Sequence, residues 1–437
     1  MTNPLRDTWD TPFNLPPFDL IEDTHFAPAL EDALNDARAS IAAICDGSDP
    51  TFANTVETLS RADAPIEKVL APFYALAGAV STQEREGLMR DFSPLLSAYS
   101  SEITANKDLF ARIETLWNNR DRLDLTDEQQ RVLMLTHRNF VRAGAELQGY
   151  AADRLAEVKQ RLSVLGTQFT QNLLADERDW FMPLDDLTGL PDFVVDAARA
   201  AGEEKDAGGP VVTLSRSIIV PFLQFSPRRD LRQKAYEAWV ARGANGGDTD
   251  NRAIAAEILS LRAERANLLG YDSFADYKLE TEMAKTPAAV RDLLMQVWTP
   301  AKAAAEGDAQ VLQAMMHNDN ETGPLEPWDW RYYSEKRRAV EHDLNEADLK
   351  PYLQLDRMIE AAFACSNRLF GLEFAPIDAP LYHPDCRAWE VTRDGKHMAV
   401  FIGDYFARGS KRSGAWCSAM RSQQKLDGDI RPQLRPM

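Results

Sequence analysis

The sequence predicts a mainly α protein with small antiparallel β elements toward its carboxyl end. From about residue 24 to 180, apolar residues recur every three or four positions and helix-breaking residues are few. The clearest stripe comprises Leu155, Val158, Leu162, Leu165, Phe169 and Leu173. This spacing places the whole stripe on one face of a helix, which is typical of core packing rather than of a ligand groove.

The first half of the chain divides into three predicted regions. Residues 1–23 form an extended, proline-rich arm, because four prolines prevent a helix while three aromatic side chains can anchor the arm to a surface. Residues 24–180 form the N-terminal helical region. Residues 181–226 form a non-helical insert, in which the apolar runs 211–214 and 217–222 pair as a β-hairpin.

Residues 227–380 are predicted to be helical again. Ser226 can cap a helix that begins at Pro227, since proline is well suited to the first helical turn. Gly270 and Gly371 each follow an apolar-periodic run, and glycine is the residue that most often ends a helix.

Residues 381–437 are predicted to form a small β-sheet segment, because the helical period disappears there. Two β-rich runs, 389–392 and 397–402, flank the pair Asp394-Gly395. An Asp-Gly pair between such runs is a strong signal for an antiparallel hairpin.

Charge and cysteine content narrow the classes of function. The 437 residues carry 68 acidic against 49 basic side chains, a formal charge of −19 that would repel nucleic acid and anionic membranes. The start lacks an apolar signal region, and no apolar run is long enough to span a bilayer. Four scattered cysteines favour reduced thiols. We therefore expect a cytoplasmic protein with neither nucleic acid nor membrane as a partner.

Five short stretches along nearly the whole chain carry a family pattern. They are PTFANTV at 50–56, NLLGYDSFADY at 267–277, PWDWRYYSEK at 327–336, LYHPD at 381–385 and GDYFAR at 403–408. Together they resemble the thimet-oligopeptidase-like zinc metallopeptidases, and especially their peptidyl-dipeptidase branch.

The resemblance implies a large, multi-helix, clam-like peptidase lobe with a deep channel that admits short peptides. It implies one zinc ion, held by the two histidines of a His-Glu-x-x-His helix and a later glutamate, with the glutamate of the motif activating water. In the peptidyl-dipeptidase branch, the product is a dipeptide released from the carboxyl end of the substrate.

The sequence departs from this pattern at the metal site. No two histidines are separated by three residues, so the zinc motif is not encoded. After residue 432 the resemblance fails, and residues 433–437 are polar and proline-bearing where relatives would continue as a strand. We therefore expect an amino-terminal portion, with a fold incomplete at its carboxyl end, no catalytic residue, no metal ligand and no cofactor when alone. The six histidines are His25, His137, His317, His342, His383 and His397.

A different metal site near the predicted hairpin is a weaker interpretation. His383, Cys386 and His397 lie close together in sequence, but zinc needs three or four convergent ligands with supporting contacts. Half-buried imidazoles and a small core thiol account for these residues more simply.

Gly414 and Ala415 are the predicted substrate-binding residues. They lie in the segment 411–416, where small side chains would let a peptide backbone approach and pair as an added strand. By resemblance, this strand would border the substrate cleft. A loop that simply needs a glycine is the other interpretation, and both remain open.

The leading functional hypothesis is a zinc-peptidase relative that is inactive unless a missing C-terminal catalytic fragment is supplied by another polypeptide. Short peptides are its expected ligands. The alternative is a non-catalytic helical scaffold that binds short peptides. A weaker third hypothesis is an independent enzyme that uses other acidic residues.

Overall fold

The computed structural model describes residues 3–342, 349–406, 408, 410–411, 414–426, 428 and 433–436. The chain forms two compact units. Unit 1 comprises Met1–Glu146 and Leu353–Met437, and unit 2 comprises Leu147–Tyr352. The fold is mainly α, as predicted.

The α-helices account for most of the described chain. In order they are α1 Phe26–Cys45, α2 Thr58–Ala62, α3 Ala64–Ala79, α4 Gln83–Ala105, α5 Lys107–Asn118, α6 Asp127–Ala143, α7 Tyr150–Asp179, α8 Asp192–Glu204, α9 Arg216–Phe225, α10 Arg229–Val240, α11 Arg252–Leu268, α12 Phe274–Leu279, α13 Pro287–Asn318, α14 Pro327–His342 and α15 Leu355–Phe370. Short helical turns of other types are Pro12–Asn14, Asp23–His25, Phe52–Glu57, Arg120–Arg122 and Lys350–Tyr352.

The strands form two small sheets, one in each unit. They are β1 Phe181–Pro183, β2 Val211–Thr213, β3 Leu372–Ile377, β4 Arg387–Arg393, β5 Lys396–Gly403 and β6 Gln433–Pro436. In unit 2, β1 pairs with β2 in antiparallel orientation. In unit 1 the sheet order is β3-β4-β5-β6, with β6 parallel to β5 and the other pairs antiparallel.

Unit 1 is built around aromatic side chains. Phe73 of α3 packs against Phe26 of α1 and Phe92 of α4, with ring centroids 5.1 and 4.9 Å apart. The proline-rich start of the chain is held by two apolar clusters, because Leu5 is buried in this core and Leu15 is buried against Val400 and Ile402 of β5. Burial of these apolar side chains gives the segment a stable position without an α-helix.

The β4–β5 hairpin confirms the prediction made from Asp394-Gly395. Asp394 and Gly395 have φ values of 52° and 69°, the left-handed conformation that a two-residue hairpin turn requires. Two other strands depart from the predictions. Residues 372–377 form β3 inside the region 227–380 that was predicted to be helical, although the helix itself was expected to end at Gly371. Residues 433–436 form β6 although their composition argued against a strand.

Unit 2 contains the predicted apolar stripe, which is confirmed as core. Val158 and Leu165 of α7 are buried against Ile254 and Leu261 of α11, so the stripe faces another helix and not an open groove.

The helix ends predicted at two glycines are also confirmed. Gly371 caps α15 with φ 68°, and Gly270, with φ 81°, lies just after α11.

The predicted non-helical insert at 181–226 is wrong. It contains two helices, α8 and α9, and the second strand of its hairpin is in fact helix α9. Ile219, Phe222 and Leu223 are buried on one face of α9. Their helical spacing is hard to recognise in the sequence, because the run also contains β-branched residues that are typical of strands. Ser226 caps the end of α9 instead of starting the next helix, and α10 begins at Arg229.

Candidate functional site

The residues that follow β5 in unit 1 are held by a buried aspartate. Asp404 is 7% exposed and accepts hydrogen bonds from Arg408, with Nη1 to Oδ1 at 2.9 Å and Nη2 to Oδ2 at 2.5 Å. The Lys411 Nζ lies 3.2 Å from Asp404 Oδ1 and donates to the Asp404 carbonyl at 2.6 Å. We call these three side chains the Asp404 clamp.

The pKa values of Asp404 and Arg408 are shifted in opposite directions by their contact. Burial alone would raise the pKa of Asp404, but hydrogen bonds from Arg408 and Lys411 outweigh this and lower it. The pKa of Arg408 is raised chiefly by its hydrogen bonds to Asp404. Asp404 and Arg408 therefore form a structural ion pair, and neither is a proton donor or acceptor near pH 7.

Two further polar groups beside the Asp404 clamp are also poor reaction partners. The Tyr382 hydroxyl donates to Asp404 Oδ2 at 3.3 Å, and burial raises the pKa of Tyr382. Burial also raises the pKa of the neighbouring Cys386 thiol to about 11. Since the thiolate is the nucleophilic form of cysteine, Cys386 behaves as a core residue here.

The segment beyond the Asp404 clamp is anchored to the end of α3. The Ser81 amide donates to the Ser410 carbonyl at 2.7 Å, and Arg408 Nε donates to the Ala79 carbonyl at 3.0 Å. The Trp416 ring packs over Gly78, where an added Cβ atom would meet it at 3.8 Å. Residues on both sides of Gly414 are thus fixed to the helical core of unit 1.

Gly414 and Ala415 themselves are exposed. Among the described residues, the Cβ position of Gly414 has no neighbour within 4 Å, and its φ of 97° is one that residues other than glycine rarely adopt. Within the described part of the chain, the backbone groups of both residues make no hydrogen bond. The strand predicted for this segment is not formed, because residues 414–419 are a bend and irregular chain. The neighbouring Arg412 and Ser413 lie outside the described residues.

The three residues weighed as a second metal site have other partners. The His383 Nδ1 accepts from the Asp385 amide at 3.2 Å. The His397 ring stacks on Phe13 at 4.5 Å, with its Nδ1 2.9 Å from Glu390 Oε1. Among the described residues, no group of three or more His, Cys, Asp or Glu side chains could hold a metal ion. These residues therefore do not fit the zinc ion that the resemblance implies.

Sequence reasoning selected Gly414 and Ala415 but missed the Asp404 clamp. An available signal was the position of Asp404 directly after the apolar run of β5, with cations four and seven residues later. That spacing allows one carboxylate to hold both cations within a single loop.

Comparison with known proteins defines the class of this chain. Residues 222–435 match the model of peptidase family M3. Dipeptidyl carboxypeptidase of Salmonella typhimurium is 35% identical over 441 residues, covering 99% of this chain and 65% of that protein. The Escherichia coli dipeptidyl carboxypeptidase is 33% identical, covering 97% of this chain and 64% of that protein. Oligopeptidase A of Escherichia coli is 30% identical, covering 98% of this chain and 64% of that protein.

The chain belongs to peptidase family M3, a family of metallopeptidases. Within that family it is similar to dipeptidyl carboxypeptidases and to oligopeptidases A. It spans about 65% of the length of these relatives. Among the described residues, no helix combines the length and apolarity needed to cross a membrane.

Proposed function

We propose that these 437 residues are the peptide-binding part of a peptidase that releases dipeptides from the carboxyl ends of short peptides. The support for this substrate class is the similarity to proteins named dipeptidyl carboxypeptidase over nearly the whole chain. By itself the chain binds peptides but does not cleave them, because no two of its histidines have the spacing of the zinc motif.

The observation that carries the peptide-binding proposal is the backbone of Gly414 and Ala415, which has no hydrogen-bond partner among the described residues, on an anchored segment. Exposed N–H and C=O groups can pair with an extended peptide, and this gives affinity that is largely independent of the peptide sequence. Anchoring through the Asp404 clamp and Trp416 lowers the conformational entropy lost on binding. A Cβ atom at position 414 would hinder a close backbone approach.

The residues that hold zinc are proposed to come from polypeptide outside these 437 residues. The described side chains do not fit a zinc ion, so no step of the reaction is assigned to them. A catalytic fragment of this kind would be the chain's main protein partner, and we place the reaction in the cytoplasm.

A helical scaffold without catalysis is the second candidate. It would use the same exposed backbone of Gly414 and Ala415, and it differs from the first proposal only in needing no zinc-bearing fragment. Addition of such a fragment separates the two, because hydrolysis that depends on the fragment and on zinc appears only if the chain belongs to a peptidase.

The test measures binding and cleavage in the same samples. The chain is mixed with a fluorescent octapeptide, with and without zinc and with and without a co-expressed catalytic fragment. We expect an anisotropy increase that persists with a chelator, and no cleavage by the chain alone. Gly414→Val should weaken binding about tenfold, the change that loss of one or two hydrogen bonds brings.

Gly270→Val is the matched control. Gly270 also has a positive φ, 81°, and an open Cβ position, so valine adds the same kind of backbone strain in unit 2. Its peptide affinity should stay that of the unsubstituted chain. Chelator-sensitive cleavage by the highly purified chain alone would overturn the proposed division of roles, and equal affinities of both valine variants would remove Gly414 from the site.

A further inference from the structure

An aromatic groove lies entirely within unit 2. It runs between α10, the second half of α13 and the start of α14, has a volume of about 1040 Å³ and is widely open to solvent. This volume is slightly above the range of about 300–1,000 Å³ that is typical of sites for small ligands. Its lining includes Tyr236, Trp239, Leu325, Glu326, Trp330 and Arg331.

The walls of the groove are held in place by hydrogen bonds. Gln313 Oε1 accepts from the Leu325 amide at 2.7 Å, and its Nε2 donates to the Gly323 carbonyl at 3.1 Å. The Asp329 carboxylate, which is fully buried, accepts from Arg229 and Arg232 of α10. A groove with such walls is largely formed before a ligand arrives, which lowers the cost of binding.

Two opposite charges on the groove have no salt-bridge partner among the residues that the structure describes. The exposed Arg331 guanidinium lies over the Trp239 ring, 6.0 Å from its centroid, and no carboxylate lies within 4.0 Å of it in the described chain. The other cation on that ring, Arg242, is paired with Glu177. In the same part of the chain, the half-buried Glu326 carboxylate makes no salt bridge within 4.0 Å, although it is close enough to Arg229 to help raise the pKa of that arginine.

We propose that this groove binds dipeptides with aromatic or aliphatic side chains. A free dipeptide is a zwitterion with an apolar body, so its carboxylate complements Arg331, its ammonium complements Glu326, and its side chains complement the aromatic lining. The inference rests on the proposed function only for the choice of dipeptides as the ligand class. Its residues belong to unit 2, whereas Gly414 belongs to unit 1.

The test is calorimetric titration of the full chain with the dipeptide Phe-Leu, its carboxyl-terminal amide and its N-acetyl form. Loss of one partly exposed charge contact should weaken binding about tenfold. We therefore expect the amide to bind the unsubstituted chain about tenfold more weakly than Phe-Leu, and Arg331→Gln to abolish that difference. Glu326→Gln should likewise abolish the difference between Phe-Leu and its N-acetyl form.

Arg262→Gln is the matched control. Arg262 is an exposed arginine of unit 2 that lies over the Phe274 ring at 5.1 Å, away from the groove lining. It should leave every affinity unchanged. Absence of Phe-Leu binding up to about 10 mM would overturn the proposal, as would a carboxylate preference that survives in Arg331→Gln.

A final arm separates this inference from the proposed function. Gly414→Val should leave Phe-Leu binding unchanged, because the groove uses no residue of that segment. If long peptides fail to bind through Gly414 while Arg331 still selects free carboxylates, the proposed function fails and the groove stands. If long peptides bind through Gly414 but Arg331 does not select free carboxylates, the groove proposal fails and the proposed function stands.

Discussion

The two units each contain a buried aspartate held by two cations, but the partners come from different distances along the chain. The cations of the Asp404 clamp, Arg408 and Lys411, lie four and seven residues away. Asp329 in unit 2 binds Arg229 and Arg232, which precede it by 100 and 97 residues. The first arrangement shapes one segment of chain, and the second joins α10 to the start of α14.

Burial differs between the two aspartates as well. Asp329 is 0% exposed and its partner Arg232 is 1% exposed, with Nη1 also donating to the Ser226 carbonyl at 2.8 Å. Arg408 and Lys411 keep 13% and 12% of their side-chain surface exposed. An ion left without its partner is more costly where water cannot reach it, so the same chemistry should contribute differently to stability in the two units.

The largest effect is expected from Asp329→Ala. It leaves Arg232 as a buried charge without a carboxylate, and removal of one member of a buried pair costs about 3–5 kcal/mol. The free energy of unfolding, measured by urea titration with tryptophan fluorescence, should fall by that amount. Asp230→Ala, which removes the exposed partner of Arg228, is the control and should change stability far less. Equal losses in both variants would show that burial of the pair is not what matters.

A smaller, local effect is expected from Asp404→Asn. Lys411 and Arg408 can turn toward water, so we expect a loss of about 1–2 kcal/mol, confined to the segment after β5. Hydrogen exchange of residues 404–416 should quicken while that of α10 and α14 stays unchanged. Asp356→Asn, an exposed partner of Arg387 in the same unit, should leave exchange in both regions as it was. Faster exchange in α10 would contradict the local role of the Asp404 clamp.

The pH dependence of stability should give the smallest signal of the three. The pKa of Asp329 and that of Asp404 are both lowered, since hydrogen bonds from their cations outweigh the effect of burial. A lowered folded-state pKa means that the contribution to stability is complete above the unfolded pKa of about 3.9 and is lost as pH falls through the folded value. Unfolding free energy should therefore decline below about pH 4, and less steeply in Asp329→Asn. An identical decline in that variant would show that Asp329 does not contribute to the loss of stability at low pH.

Local patterns in the sequence predicted several elements correctly. The stripe in α7, the helix end at Gly371 and the turn at Asp394-Gly395 each depend on residues close together in the chain. Helical periodicity and the left-handed conformation of a turn are set by neighbouring residues, so no tertiary contact is needed to anticipate them.

Predictions failed where the partner of a segment is distant in sequence. Residues 217–222 resemble a strand in composition, yet they form α9 because burial of Ile219, Phe222 and Leu223 favours the helix. The true partner of β2 is β1, almost 30 residues earlier and separated from it by α8. The same limit applies to the candidate site, where Gly414 was selected but its anchors on α3 were not.

The sequence by itself determined the helical class, the main turns, the family resemblance and the lack of the zinc motif's histidine pair, because these depend on residue types and their spacing. Only the tertiary structure decided which buried charges meet, which backbone groups stay unpaired and where an aromatic groove forms. Arg232 and Asp329 show the reason. Each is an ordinary charged residue in sequence, and only the packing of α10 against α14 removes both from water.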